Sequence, residues 1–353
     1  MSFRLLSIAL LVLVLTAGAI CGGAAAQDTT LHNASFDPTR EFYVDYNRAF
    51  ASYWRQRTGD TVDVRMYHGG SGEQVRAIVD GLPADVATLA LAADIDALAG
   101  AGLLDPNWRT RLPYGSVPYT STVVLLVRKG NPQRIHDWGD LVRPGVGVVT
   151  PDPRTSGGGR WNYLAAWAWA SRTYRDGPQV LDWMRRLFGN VVVADAGARG
   201  ATRSFVEGGH GDVLLAWESE ALRLLADPHT SQALEIVYPS LSIRAEPQVA
   251  LIDRNIDAHG TRTCADAYLR YLYSPTGQRL AAQHHYRPSD PSQVPASQRA
   301  RFRAVPMVTV DAAFGGWQHA QRIHFAAGGL FDHVVGAARW APGDRPTPAH
   351  PNR

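Results

Sequence analysis

The segment from residue 145 to residue 174 joins a strand, a glycine-rich turn and a helix, and this order restricts the fold. Residues 145–150 have the pattern of an apolar strand, Thr155-Ser156-Gly157-Gly158-Gly159 form the turn, and an apolar run of helical length begins at Trp161. The first N–H groups of a helix carry a partial positive charge, and glycine lets that backbone approach a ligand closely. The turn therefore predicts either an oxyanion site at a helix start or a solvated loop with Ser156 as a plain N-cap.

The same order of strand, short polar turn and helix recurs along the chain. The predicted strands are at 30–36, 62–67, 86–91, 145–150, 191–195 and 212–217, and the predicted helices are at 38–57, 75–80, 94–101, 161–174, 180–188, 202–207 and 263–284, the last with a break at Ser274-Pro275. This alternation predicts an α/β protein with parallel strands and helices on the faces of the sheet. The runs 118–128 and 245–253 are candidate strands that cross between lobes, and 353 residues are enough for two lobes.

The N-terminal residues predict a secretory signal peptide that is cleaved after Ala26. Arg4 precedes a continuous apolar run at 5–15, and small residues follow up to the cleavage site. This run is shorter than the roughly 20 residues that a membrane-spanning helix needs. Lipidation at Cys21 is an alternative use of the same leader, although Ile20 is a poor residue before a lipidated cysteine. The leader predicts a periplasmic protein.

The charge and the cysteine content exclude several classes of function. The net charge of +3 comes from interspersed signs without a basic stripe, so nucleic acid is not a predicted partner. Lys129 is the only lysine, which leaves almost no candidate for a Walker loop or a Schiff base. Once the leader is removed, Cys264 is the only cysteine, so it forms no intrachain disulfide and is predicted to be a small buried hydrophobe.

Four of the predicted strand-to-helix turns share small residues and backbone N–H groups that a helix start leaves unpaired. These turns are at 35–40, 69–72, 155–158 and 197–200. In a doubly wound sheet the carboxyl ends of the strands meet at one edge, and ligands bind there. Two lobes that face each other would bring all four turns around one cleft, which predicts an anion site.

Seven longer segments carry the pattern of a known family. They are SFDPTREFY (35–43), YHGGSGEQ (67–74), RLPYGSVPYTSTVVLLVRKGNPQRIHDW (111–138), TSGGGRWNYLAAW (155–167), GARGATRSFVE (197–207), GDVLLAWESEA (211–221) and FGGWQHAQRIHFAAGG (314–329). On these segments the chain resembles the periplasmic sulfate-binding proteins, the solute receptors of sulfate/thiosulfate ABC importers. The resemblance implies a two-lobed periplasmic-binding-protein fold of type II, in which each lobe is a doubly wound, mostly parallel sheet with flanking helices. The expected divisions are a signal peptide at 1–26, lobe 1 at 27–115 with part of 250–338 returning to it, lobe 2 at 116–249, and a disordered tail at 339–353.

The resemblance also implies how the ligand is held, namely by neutral donors without a cationic side chain. On matching positions the backbone donors are Asp37, Ser71, Gly157, Gly158 and Ala198, while Ser156 contributes its hydroxyl and Trp217 its indole N–H. The residues expected to flank these donors are Arg40, Gly70, Arg160 and Arg199. The arginines either steady the turn peptides or form ion pairs with nearby carboxylates. Gly159 stands where the family often has alanine, and this change is expected only to loosen the helix start.

Some of these residues also have simpler explanations. Trp217 at the end of an apolar strand is typical of a core residue. Asp37 by itself is a helix N-cap, and its carboxylate would repel an anion unless the side chain turns away. The function implied by the resemblance is that of a monomeric, non-enzymatic receptor without metal or cofactor, which delivers sulfate or thiosulfate to the membrane permease subunits of an ABC importer.

Two rival functions remain open on the residues alone. An enzyme is disfavoured because Glu73 occupies the last glycine position of a nucleophile elbow in Gly69-Gly70-Ser71-Gly72-Glu73, and because the adjacent His284-His285 pair lacks metal-ligand spacing. The other rival is a receptor for phosphate or molybdate. Phosphate keeps a proton near neutral pH and needs an acceptor, which the donor set lacks unless the Asp37 carboxylate points inward.

Overall fold

A computed structural model describes residues 28–336. The predictions of a signal peptide at 1–26 with its Cys21, and of a disordered tail at 339–353, lie outside the described residues. Within the described part of the chain, every helix is too short or too polar to cross a membrane.

Strands and helices alternate along most of the chain. The strands are β1 (Asp28–Phe36), β2 (Thr61–Gly69), β3 (Val86–Leu89), β4 (Tyr119–Arg128), β5 (Val148–Pro151), β6 (Val191–Asp195), β7 (Val213–Trp217), β8 (Leu234–Val237), β9 (Ser242–Ala245), β10 (Gln248–Leu251), β11 (Arg287–Pro288) and β12 (Met307–Val308). The helices are α1 (Arg40–Thr58), α2 (Ser71–Val79), α3 (Ala92–Gly100), α4 (Pro113–Ser116), α5 (Gly157–Thr173), α6 (Gly177–Gly189), α7 (Ala198–Val206), α8 (Glu218–Ala226), α9 (Pro228–Ser231), α10 (Asp253–His259), α11 (Arg262–Tyr271), α12 (Pro275–Gln283), α13 (Ala296–Arg299), α14 (Val310–Phe314), α15 (Trp317–Ala320) and α16 (Leu330–Val335). A 3-10 turn at Asp37–Thr39 precedes α1, and a π-helical turn at Gln321–Phe325 follows α15.

The strands form two sheets. The first has the order β10-β3-β1-β2, with β1 parallel to both of its neighbours and β10 antiparallel to β3. The second has the order β12-β9-β4-β7-β5-β6, in which β5 is parallel to β6 and β7, and β4 is antiparallel to β7. We call the first sheet with α1–α3 the first lobe, and the second sheet with α5–α8 the second lobe. The predicted α/β, two-lobed fold is confirmed.

The connections between the lobes differ from the predicted crossing strands. The candidate at 245–253 is wrong as one strand, because β9 lies in the second sheet, β10 lies in the first, and Glu246-Pro247 joins them. The candidate at 118–128 is β4, which lies entirely in the second sheet. A further connection follows α12, since β11 pairs with β4. The lobe bounds at 115 and 249 stay predictions.

Three helices begin earlier than their apolar pattern predicts. The helices α2, α5 and α7 start at Ser71, Gly157 and Ala198, four residues before the predicted starts in each case. Glycine and serine contribute no apolar periodicity, but the first turn of a helix tolerates them because its N–H groups need no intrahelical acceptor. This correction places each helix N-terminus directly at the predicted ligand donors.

The region around Cys264 forms part of an aromatic core in the first lobe. Cys264 lies on α11 among buried side chains that include Phe42, Tyr46 and Tyr268, and burial raises the pKa of its thiol to about 12. The thiol is therefore an inert packing group, as predicted. The predicted break between α11 and α12 is also confirmed, because the Ser274 Oγ accepts a hydrogen bond from the Gly277 N–H at 3.1 Å.

Candidate anion-binding site

A cavity lies between the two lobes, at the carboxyl ends of β1, β2 and β3 on one side and of β5, β6 and β7 on the other. Its volume of about 30 Å³ compares with the roughly 10–15 Å³ that one water molecule needs in the same measure. The cavity thus has room for a small inorganic ion. All seven residues predicted to hold the ligand line it, namely Asp37, Ser71, Ser156, Gly157, Gly158, Ala198 and Trp217.

Four chain segments begin a helical turn at the cavity wall. Asp37 opens the 3-10 turn before α1, Ser71 opens α2, Gly157 opens α5 and Ala198 opens α7. The first N–H groups of each segment have no acceptor within their own helix, and the partial positive charge of the helix end lies there. Because two of these segments come from each lobe, the cavity collects donors from opposite sides.

The start of α2 leaves a main-chain donor available to a ligand. Gly70 N–H is taken, because it donates to Glu73 Oε2 at 3.1 Å. The Ser71 hydroxyl is also engaged, since it donates to Asp94 Oδ2 and accepts from the Ala90 N–H at 3.0 Å. What remains at Ser71 is its backbone N–H, which is the group assigned to the ligand by the family resemblance.

Four predicted ligand residues meet at the start of α5, namely Ser156, Gly158, Ala198 and Trp217. The Ser156 Oγ caps the helix by accepting from the Gly159 N–H at 3.3 Å, so its own proton is free to be donated. A Cβ built on Gly158 would lie 3.5 Å from Ser156 Oγ, 3.8 Å from Ala198 Cβ and 3.9 Å from Trp217 Nε1. The N-cap and the ligand interpretation of Ser156 are therefore compatible.

Trp217 offers a buried donor beside Gly158. Its side chain is 5% exposed, and its Nε1 has no hydrogen-bond partner among residues 28–336. A buried donor without an acceptor costs about 1–3 kcal/mol, and an anion in the cavity would supply that acceptor. The ring also packs 5.5 Å from Phe36, so core packing explains the ring but not the position of its N–H.

The three flanking arginines lie beside the turns and do not line the cavity. Arg40 donates to Asp37 Oδ1 at 2.7 Å and to the His68 carbonyl at 3.3 Å, which turns the Asp37 carboxylate toward a cation. Arg199 Nη2 donates to both carboxylate oxygens of Glu41 in the first lobe, at 3.0 and 2.8 Å. Arg40 thus fits both interpretations, because it contacts a turn carbonyl and a carboxylate, whereas Arg199 fits the ion-pair interpretation.

Arg160 is the most deeply placed of the three. Its Nε donates to the Pro153 carbonyl at 2.9 Å and its Nη1 to Gln321 Oε1 at 3.1 Å. Burial lowers the pKa of this guanidinium. The side chain therefore fixes the proline-containing turn that leads into α5. Among the described residues, no arginine or lysine side chain lines the cavity.

The backbone around Gly159 contradicts an expectation from the family pattern. A Cβ at this position would lie 2.5 Å from the Pro151 carbonyl oxygen and 2.8 Å from Pro153 N. A Cβ atom cannot lie that close to backbone atoms, so alanine would displace the turn. The expectation that this glycine only loosens the helix start is wrong, because the turn at 151–153 folds back over it.

Sequence reasoning missed three polar residues on the cavity wall, Asn162, Thr202 and Glu220. Asn162 Nδ2 donates to the Leu215 carbonyl at 2.8 Å, which ties α5 to β7, and its Oδ1 has no partner among the described residues. Glu220 is held by Arg223 at 2.9 Å. A polar side chain on the otherwise apolar face of α5 was the available signal for Asn162.

The histidines outside the cavity show no metal-binding arrangement. His284 Nε2 lies 3.0 Å from Asp45 Oδ2, so this ring is already engaged. Within residues 28–336, no group of three or more His, Cys, Asp or Glu side chains is placed to hold a metal ion.

Comparison with known proteins gives consistent results. The family model for bacterial extracellular solute-binding proteins matches residues 42–287. The sequence is 53% identical to the sulfate-binding protein of Escherichia coli K12, over 88% of this chain and 94% of that protein. It is 44% identical to the thiosulfate-binding protein of Pseudomonas aeruginosa, over 91% of this chain and 96% of that protein. The structure is similar to that of the sulfate-binding protein SubI from Mycobacterium tuberculosis, with a TM-score of 0.74 and 31% identity over 83% of this chain and 98% of that one.

Proposed function

The chain belongs to the bacterial extracellular solute-binding proteins, in the group of the sulfate- and thiosulfate-binding proteins, and from this we propose that it is a receptor for the sulfate dianion. The observation that carries the proposal is the cavity between the lobes, where helix N-termini converge with a buried indole N–H that has no partner among residues 28–336, and where no cationic side chain of those residues lines the wall. Sulfate enters this cavity, and the seven predicted donors replace its hydration shell.

The donor set is large enough for tight binding. Burying a doubly charged ion without its water costs on the order of ten kcal/mol or more unless donors replace hydration. Hydrogen bonds to a charged group contribute roughly 1.5–3 kcal/mol each, so about seven of them support sub-micromolar affinity. Because the dipoles are neutral, the ion can also leave again.

A fully ionised ligand suits the cavity better than a protonated one. All seven predicted ligand groups are hydrogen-bond donors, whereas the carboxylates on the wall, those of Asp37 and Glu220, are paired with Arg40 and Arg223. The Asn162 amide oxygen is the wall group that a protonated oxyanion could use. Thiosulfate is the second candidate ligand, favoured by the 44% identity to a thiosulfate-binding protein.

Calorimetric titration with sulfate, thiosulfate, phosphate and molybdate tests the proposal. We expect one site per chain, with sulfate or thiosulfate bound far more tightly than phosphate. If neither sulfate nor thiosulfate binds, the proposal fails. If phosphate binds as tightly as sulfate, the cavity wall offers an acceptor to a protonated ligand and the receptor class must be widened.

The transport role is the remaining part of the proposal. We infer that the mature protein begins near Gln27 in the periplasm as a monomer and delivers its ligand to the permease subunits of an ABC importer. The apolar leader with its small-residue cleavage site and the family membership support this. Mass spectrometry of exported protein with lipid on Cys21 at its N-terminus would contradict it.

We expect the affinity for sulfate to be nearly constant between about pH 5 and pH 8. The predicted donors do not titrate in this range, and burial, with the nearby Arg40 cation, lowers the pKa of His68 behind the site to about 4. His68 is therefore neutral across the whole range and gains a proton only as the pH falls toward 4. Titrations in matched ionic strength would check this, and a tenfold loss of affinity within the range would point to a titrating ligand group.

A further inference from the structure

We propose that Trp161 is a positioning residue whose indole N–H locks the two lobes together around the anion. The inference rests on the proposed receptor function. Trp161 lies in the second turn of α5, and its Nε1 donates to the Ala90 carbonyl at 2.9 Å. Ala90 directly follows β3 of the first lobe, so this hydrogen bond joins the two lobes. Both residues are fully buried.

The two lobes are in direct contact beside the hydrogen bond between Trp161 and Ala90. A Cβ built on Gly157, at the start of α5, would lie 2.6 Å from Ala90 Cβ and 3.3 Å from Ser71 Cβ. Only a glycine lets the second lobe approach the first this closely. The donor end of α5 and the end of β3 therefore touch directly beside the cavity, and the indole bond is made at this contact.

The orientation of the indole is set from its other side. Trp317 on α15 meets the Trp161 ring edge-on, with the ring centroids 4.8 Å apart and the planes at 86°. Trp317 is itself buried. The Trp161 ring is thus enclosed, and its N–H points at Ala90 when the lobes are together.

Separation of the lobes breaks this bond, because α5 packs on strands of the second sheet, whereas Ala90 directly follows a strand of the first. The bond consequently stabilises only the state in which the lobes enclose the ligand. A contact that favours one of two states shifts ligand affinity by its own differential free energy. The net contribution of a neutral hydrogen bond corresponds to about a 2- to 12-fold change in affinity.

Trp161 differs from Trp217 in what it contacts. Trp217 lines the cavity, whereas Trp161 does not. Loss of the Trp161 N–H should therefore weaken sulfate and thiosulfate by the same factor and should act mainly on the release rate. Loss of a ligand contact would instead change the ratio between the two ions.

The test compares Trp161→Phe with Trp138→Phe. Trp138 is a matched control, because its Nε1 donates to the Leu241 carbonyl at 2.8 Å, is equally buried, and makes this bond within the second lobe. We expect Trp161→Phe to weaken both ions about 2- to 12-fold with faster release, and to lower the ligand-free melting temperature about as much as Trp138→Phe does, because both substitutions remove the same buried ring volume. We expect Trp138→Phe to lower the melting temperature and leave the affinity unchanged.

Unchanged affinity in Trp161→Phe, with wild-type protein that binds sulfate, would overturn the inference, whereas wild-type protein that binds neither ion would overturn the receptor proposal instead. A measurement on unmodified protein covers the case in which the variant does not fold. In ¹⁵N spectra the Trp161 indole proton should exchange slowly with water only when sulfate is bound. Equal exchange with and without sulfate would also overturn the inference.

Discussion

Replacing Gly158 with alanine should nearly abolish sulfate binding while the protein stays folded. The new methyl group would lie 3.5–3.9 Å from Ser156 Oγ, Ala198 Cβ and Trp217 Nε1, which are ordinary van der Waals distances. No protein atom has to move to admit it. The methyl group nevertheless occupies the point on which the predicted donors converge, so the anion is displaced from several of them.

The expected size of this effect follows from the number of bonds lost. Hydrogen bonds to a charged group contribute about 1.5–3 kcal/mol each, and displacement from two of them corresponds to roughly 150- to 25,000-fold in the dissociation constant. Calorimetry with sulfate measures the affinity, and thermal unfolding without sulfate measures the fold. The ligand-free melting temperature should stay at the wild-type value.

Two other glycines provide controls for Gly158→Ala. A Cβ at Gly177, at the start of α6, would meet nothing within 4 Å, so Gly177→Ala should leave both affinity and fold unchanged. A Cβ at Gly159 would collide with the Pro151 carbonyl at 2.5 Å, so Gly159→Ala should lower the melting temperature. If Gly158→Ala binds sulfate within a few-fold of wild type, Gly158 does not belong to the site.

The local parts of the site could be predicted from sequence, because they depend on neighbouring residues. The run Thr155–Gly159 marks a helix start by its hydroxyl and its glycines, and the structure places α5 there. Sequence patterns placed the start four residues late, since glycines carry no apolar periodicity. The family motifs then supplied the identity of the predicted donors, which spacing alone did not.

The contacts between the lobes could not be predicted, because they join residues that are far apart in the sequence. Trp161 and Ala90 are 71 residues apart, and Arg199 and Glu41 are 158 residues apart. No local pattern marks such pairs. The same holds for Gly159, whose restriction arises from the way the proline-containing turn folds over it. What sequence reasoning lacked was thus the packing around the turns, not their chemistry.

Trp217→Phe should weaken sulfate binding and leave the fold intact. Phenylalanine keeps most of the ring that packs against Phe36, but it has no N–H. One charge-assisted hydrogen bond is lost, which corresponds to about 1.5–3 kcal/mol, or roughly 10- to 150-fold in the dissociation constant. Sulfate titration of the purified variant, with thermal unfolding of the same sample, measures both quantities. Any sulfate-induced change in tryptophan fluorescence should also decrease.

Trp183→Phe is the matched control for this experiment. Trp183 on α6 is buried like Trp217, its Nε1 also lacks a partner among the described residues, and it lies away from the cavity. Removing this N–H should leave the sulfate affinity unchanged. If Trp217 were only a core residue, Trp217→Phe would lower the melting temperature and keep wild-type affinity, as no donor to the ligand would be lost. Reduced affinity with an unchanged melting temperature separates the two roles. Loss of the indole N–H weakens binding only if that group donates to the anion.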